Sequence, residues 1–283
     1  MRRRCGHLGA LAAGLLAAAL VAGCAGAGGA RDRGLPSSPP PAPAAPGVQE
    51  QRALPVYYVL GDGQQARLVR EFHPVWTTDP LTGAVTELLG TAPQDPDLHT
   101  DWPDDAALHA PVTHDNGIVT VDLTRPGKVP AERAALTLQQ LVYTVQGAAG
   151  STDPVRLLVD GEPVPTLWGQ DVSRPIPRAD PYSTRLLVQI DDPAEGATVG
   201  GGTVMVSGEA AVFEATVLWE VRNSGGTVVR SGVTTSAEGM RFSPFRFTVP
   251  LPPGSYEITV AEDDPSGGEG RPVQRNTRRV TVT

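Results

Sequence analysis

The chain is short of cysteine, lysine and aromatic residues, and each shortage excludes something. Two cysteines in 283 residues can build neither a disulfide framework nor a four-thiolate zinc site. Of the 23 basic residues only Lys128 is lysine, and the formal charge is −8. An acidic chain lacks the basic face that displaces counterions from phosphates, so nucleic acid is excluded as a partner. Aromatics at 5% and charged residues at 19% are both sparse. Apolar residues at 40% still suffice for a core, and the length fits one or two domains with extra segments.

The first segment is an address. Arg2, Arg3 and Arg4 precede an unbroken stretch of Leu, Ala and Gly from Leu8 to Leu20. That stretch is too short to span ~30 Å of hydrocarbon, and it suits the apolar region of a secretory signal. It ends in Val21-Ala22-Gly23-Cys24, which resembles the lipobox of bacterial lipoproteins. The resemblance implies a signal peptide over 1–23, cleavage before Cys24 and lipidation of that cysteine. The product would be held on the outer face of the cell membrane by lipid. Cys5 leaves with the signal, so no thiol remains in the folded part. Loss of the three arginines takes the formal charge from −8 to −11. Residues 24–52 are rich in Pro, Ala and Gly, with too little apolar surface to offset ordering entropy, and read as a disordered tether.

Residues 53–181 read as an α+β domain of order ββαββαβ. Val56-Tyr57-Tyr58-Val59-Leu60 is a strand stopped by Gly61-Asp62-Gly63, and Arg67 to Val75 completes a hairpin. Asp79-Pro80 opens a helix in which Leu81, Val85, Leu88 and Leu89 recur at helical spacing until Gly90. Residues 91–106 form a loop. Asn116-Gly117 predicts a type I′ turn that sets Val119, Val121 and Leu123 on one face. Ala134, Leu138, Leu141, Val142 and Val145 form one helical stripe ended by Gly147, and Val155–Val159 is the last main strand, turned by Asp160-Gly161. Two helices with one apolar stripe each need a sheet to cover, so both are expected on one face of an antiparallel or mixed sheet.

This pattern resembles the GerMN domain named after sporulation and germination proteins. The resemblance rests on Val56-Tyr57-Tyr58-Val59, on Asn116 to Leu123, on Leu138 to Thr144, on Val155 to Val164, and on Asp171 to Asp180. It implies a module that mediates protein assembly, and it brings no catalytic residues with it.

In residues 182–283 the periodicity is two. Phe213, Ala215, Val217, Trp219 and Val221 predict a strand with one buried face, turned by Asn223-Ser224-Gly225-Gly226 into Thr227–Val233. Leu186–Ile190 comes first. Val204 and Val206, then Phe245 to Val249, Tyr256 to Val260, and Val280 with Val282 add further strands. About seven short strands make an all-β immunoglobulin-like sandwich with Trp219 in its core. This half resembles the immunoglobulin-like domain of bacterial spore germination through Ile190 to Val199, Val206 to Ala210, Val212 to Trp219, Phe245 to Val249 and Leu251 to Tyr256.

The candidate chemistry is thin. His109 and His114, with Asp101 or Asp115, could be metal ligands, but five residues apart on one strand they point to opposite faces. Asp191-Asp192 and Glu262-Asp263-Asp264 with Glu269 lack calcium-loop spacing and read as solvated acidic loops. No metal and no cofactor is expected. A Gly-x-Ser-x-Gly elbow is missing, and no acid/base pair stands at a readable spacing, so the chain reads as no enzyme. Trp76, Trp102 and Trp168 lie near turns and are candidate ligand contacts, since aromatics dominate interface hot spots. The expected partners are the membrane, through Cys24, and an envelope protein. A module binding cell-wall glycan or peptide, peptidoglycan included, is the alternative.

Overall fold

The computed structural model describes residues 49–264 and 269–283. The expected signal, Cys24 and nearly all of the expected tether lie outside the described residues. Among those residues no helix is long and apolar enough to cross a membrane.

The first module begins with a long hairpin, β1 (Glu50–Leu60) and β2 (Arg67–Thr77), in unbroken antiparallel register from Glu50↔Thr77 to Leu60↔Arg67. Asp79 caps α1 (Pro80–Gly90) by accepting from the N–H of Leu81 at 3.1 Å and of Thr82 at 3.2 Å. The proline at the helix start has no N–H to leave unsatisfied. A two-residue strand β3 (Leu98–His99) pairs with the end of β1. Asn116 (φ 52°) and Gly117 (φ 73°) then join β4 (Thr113–Asp115) to β5 (Ile118–Leu123), as a type I′ turn requires.

The second helix, α2 (Ala131–Ala149), runs past Gly147 and stops at Gly150, whose φ of 62° supplies the left-handed cap. Gly147 has a different reason to be glycine: a Cβ there would come within 2.9 Å of Pro55. Strand β6 (Val155–Val159) lies parallel to β5 and turns back into β7 (Glu162–Pro163). A small hairpin of β8 (Thr166–Leu167) and β9 (Gln170–Asp171) follows, then a single turn α3 (Pro181–Thr184).

The expected single sheet is two: β2-β1-β3 and β4-β5-β6-β7. Both still feed one core, in which Val56, Tyr58 and Val69 meet Val119, Val121 and Leu157 together with Val85, Leu88, Leu141 and Val145 of the helices. The two sheets stay separate because α2 takes the place of a neighbouring strand along β1. The Tyr57 N–H donates to Thr144 Oγ1 at 3.0 Å, and Gln140 Nε2 donates to the Tyr57 carbonyl at 3.1 Å. Buried main-chain groups must find partners, and here two wholly buried helical side chains provide them.

The second module is the expected sandwich. One sheet is β10 (Val188–Asp192), β12 (Thr203–Ala210) and β15 (Ser243–Pro250), in the order β10-β12-β15. The other has the order β11-β17-β16-β13-β14, from β11 (Ala197–Val199), β13 (Thr216–Asn223), β14 (Val228–Thr235), β16 (Gly254–Glu262) and β17 (Arg275–Val282). Alternating residues such as Val204, Val206, Val217, Val221, Ile258 and Val260 fill the space between them. The strand expected from Phe213 starts only at Thr216. Phe213–Ala215 form a 3-10 turn with Glu214 at φ 52° and Ala215 at φ 59°, which leaves Phe213 exposed. Trp219 lies at the rim of the core. It stacks on Phe247 at 4.8 Å and rests on Gly232, where a Cβ would sit 2.5 Å from the indole.

The modules are joined by main chain as well as by side chains. Leu68 and Arg185 form a parallel bridge, and the Leu186 N–H donates to the Leu68 carbonyl at 3.0 Å. The passage from one module to the next is therefore bonded to the edge of β2.

Candidate functional site

The three candidate tryptophans do not share a surface. Trp76, near the end of β2 and opposite Gln51, is 63% exposed. Trp102 is 4% exposed in the first core, and Trp168 stands edge-on to it at 5.3 Å. The Trp168 Nε1 donates to the Gly127 carbonyl at 2.7 Å. Trp102 and Trp168 are packing partners, with Trp168 partly buried, while Trp76 is largely open to solvent. Loop 91–106 folds under itself because an indole at Trp102 gains more from burial than the loop loses by ordering.

The histidines and acidic runs are paired rather than clustered. His109 lies in a bend, not on the strand expected for it, with Nδ1 at 2.9 Å from Asp122 Oδ2. That carboxylate holds the His109 imidazole above its ordinary pKa. His114, on β4, places Nε2 at 2.7 Å from Asp153 Oδ2. Asp191 binds Arg70, and Glu262 binds Arg271. Among the described residues no three His, Cys, Asp or Glu side chains converge as a metal site.

The structure brings together a set of charges that was not singled out in the sequence. Glu71 and His73 lie two apart on β2 and so share a face. His73 is 2% exposed, with Nδ1 at 2.8 Å from Glu87 Oε1 and Nε2 at 3.0 Å from Glu71 Oε2. An imidazole donates from both nitrogens only when protonated. Burial works against that charge, but the two carboxylates outweigh it and hold the His73 pKa above its ordinary value. Burial likewise pushes Glu71 up. His73, the N–H groups of Gln94 and Asp95 at 2.9 Å each, and Arg278 outweigh it and hold Glu71 below the usual carboxylate range.

From there the network crosses into the second module. Arg278 Nη1 on β17 donates to Asp95 Oδ2 at 2.6 Å, with side chains only 3% and 2% exposed. Its Nη2 donates to the Ile190 carbonyl at 3.2 Å. Burial keeps Asp95 above its ordinary pKa, while the Asp97 N–H and Arg278 pull the other way. Arg70, also on β2, forks onto Asp191 with Nε at 3.2 Å and Nη2 at 2.6 Å, and reaches Glu209 at 3.2 Å. Arg185 Nη2 donates to Glu209 at 2.8 Å while its guanidinium covers the Phe242 ring at 4.1 Å. Each ion cluster thus holds groups from both modules. The signal in the sequence was Glu71 and His73 at alternating positions of one strand.

A histidine between two carboxylates has the composition of acid–base machinery. Its burial removes the access that a substrate needs. The set bonds within the first module, and the pairs that join the modules are Asp95–Arg278 beside it and Arg70–Asp191, which are costly to break singly.

The exposed apolar residues gather elsewhere. Tyr182, Phe213 and Met240 are 42%, 48% and 58% exposed and line one groove of about 280 Å³ with Leu187 and Val212. The Tyr182 hydroxyl donates to the Met240 carbonyl, and Met240 sits at φ 57°. Positive φ at Glu214, Ala215 and Met240 is unfavourable for residues with a Cβ. These are three side chains that the fold leaves uncovered.

Fold and site together define a protein of two coupled modules, an α+β domain followed by an immunoglobulin-like sandwich. Residues 55–165 match the family described as "Sporulation and spore germination", and residues 187–269 match "Immunoglobulin-like domain of bacterial spore germination". The chain carries these two domains in that order. Among solved structures it is similar to the tandem GerMN domains of the sporulation protein GerM from Bacillus subtilis. The identity is 20%, 51% of each chain is covered and the TM-score is 0.39. The chain thus spans about half the length of that tandem-domain protein. The first GerMN domain of the same protein matches at 17% identity over 45% of this chain and 98% of that one, with a TM-score of 0.34. Scores this low carry no argument by themselves. No curated protein sequence matches.

Proposed function

We propose that this is a lipid-anchored, extracytoplasmic, non-enzymatic binding or assembly protein of the bacterial cell envelope. Anchoring is supported by the Arg2–Arg4 cluster, the apolar stretch and the Val21-Ala22-Gly23-Cys24 sequence. Two domains of the sporulation and germination type support a role in protein assembly. The observation that carries the non-enzymatic reading is the inward placement of Glu71, His73 and Glu87. The set most like catalytic machinery has His73 at 2% exposure, with both ring nitrogens engaged by carboxylates of the same module.

Crosslinking in intact cells tests the binding role, with a defined partner protein as the expected product. Replacing Cys24 by Ser tests the anchor: the variant should move from the membrane fraction to the soluble exported fraction. Zymography of the full chain on wall material should show no clearing. The second reading, a module that binds wall glycan or peptide, is favoured by the exposed indole of Trp76. Saturable retention on purified wall, lost in Trp76→Ala, would select it.

A further inference from the structure

The two modules meet along a cleft of about 340 Å³. It lies between the turn of the first hairpin (Leu60, Gly61, Asp62, Gln65, Arg67) and the segment entering β17 (Arg271 to Arg275), with Leu186 between them. Arginine is the dominant charge there. Arg271 is neutralised by Glu262, but among the described residues neither Arg67 nor Arg275 has a carboxylate partner. Elsewhere in this acidic molecule guanidiniums such as those of Arg70, Arg133, Arg185, Arg278 and Arg279 are engaged by acids.

The way Arg67 is held decides which of its donors is left over. Its Nη1 donates to the carbonyls of Gln64 at 2.9 Å and Ala66 at 2.8 Å, which pins the side chain to its own turn. The Nε–H is buried without an acceptor, and among the described residues no hydrogen bond engages Nη2. With Nη1 tied to its own turn and Nε closed off, Nη2 is the donor left for a carboxylate, through one charge-assisted hydrogen bond.

Around these cations the walls are apolar, from Leu60, Leu186, Pro272 and Val273, with amides at Gln65 and Gln274. Asp62 at the same cleft disfavours a dianion. We propose that this cleft is a binding site for the carboxylate of an acidic peptide segment. Arg67 and Arg275 hold the carboxylate, and an apolar side chain of the same segment packs on the walls. The carboxylate is that of a chain end or of an Asp or Glu side chain. The site is separate from the groups on which the proposed function rests and stands or falls independently of it.

The test is an NMR titration of the full chain, following the Arg67 and Arg275 Nε–H resonances. Four probes are used: N-acetyl-leucine, acetyl-Leu-Asp-amide, N-acetyl-leucinamide and inorganic phosphate. Saturable shifts are expected with one or both of the carboxylate probes, which also tells a chain end from a side chain. The amide should give none. Arg275 is exposed and has no partner to lose, so Arg275→Gln should keep the fold and weaken binding about tenfold or more. The proposal is overturned by any of four results: no saturable shift with either carboxylate, equal binding of the amide, phosphate binding as tightly, or unchanged affinity in Arg275→Gln.

Discussion

At the scale of single residues, the decisive property is whether a polar or aromatic side chain is enclosed, and by what. Asp95 and Arg278 are enclosed together. Changing Asp95 to Asn leaves a buried guanidinium short of its counter-charge and should cost about 3–5 kcal/mol, read as a lower urea midpoint. The double change Asp95→Leu with Arg278→Met should recover most of that loss, because an apolar pair needs no desolvation of ions. The tryptophans make the complementary case. Trp102→Ala should cost about 3–5 kcal/mol through the cavity it leaves. Trp76→Ala should stay within about 0.5 kcal/mol, since little packs on it. Sequence could not separate these two. Both indoles lie near turns, and only the path of loop 91–106 decides which one is covered. His73 was equally opaque: its alternation with Glu71 is visible, but Glu87 and Arg278 come from distant parts of the chain.

At the scale of elements, local chemistry was readable wherever it is local. The Asp79-Pro80 start, the Asn116-Gly117 turn and the alternation of β12, β15 and β16 all appear where their residues place them. Asp79→Ala should lower stability by about 1 kcal/mol through loss of the α1 cap, measurable in the same denaturation experiment. Departures occur where a neighbour sets the rule. Gly147 looked like a stop but lies inside α2, where the Pro55 ring crowds the position of a Cβ, and the helix ends only at Gly150. Phe213 carried the right alternation for β13, yet Glu214 and Ala215 take left-handed backbone and end the pattern there. The split into two sheets was hidden too, since it depends on Gln140 and Thr144 serving β1 from a helix. Gly208 extends the point: a Cβ would fall 1.9 Å from the Gln189 carbonyl oxygen, backbone that cannot step aside. Gly208→Ala should therefore force β10 from β12 and cost at least about 1–3 kcal/mol.

At the scale of the whole molecule, the two modules behave as one body because charge joins them. The junction should be pH-dependent with a defined sign. The His73 pKa is raised from 6.5, so its contribution is full below that value and is lost as pH rises through the raised pKa. The Glu71 pKa is lowered from 4.5, so its contribution is full above that value and is lost as pH falls through the lowered pKa. Asp95, raised by burial, offsets part of the acid loss as it takes up a proton. Stability from this network should peak between pH 4.5 and 6.5. Urea titrations across pH, compared with His73→Gln, should show the alkaline decline flattened in the variant.

Two modules joined by buried ion pairs and main-chain bonds make sense as a body that presents a fixed surface, and Phe213 is part of the apolar surface it leaves open. The most direct test of that account is a photo-crosslinking residue placed at Phe213 in the full chain and activated in intact cells. The account predicts one discrete crosslinked product with a defined envelope protein. A scatter of products matching that from an exposed control position such as Arg230 would contradict it.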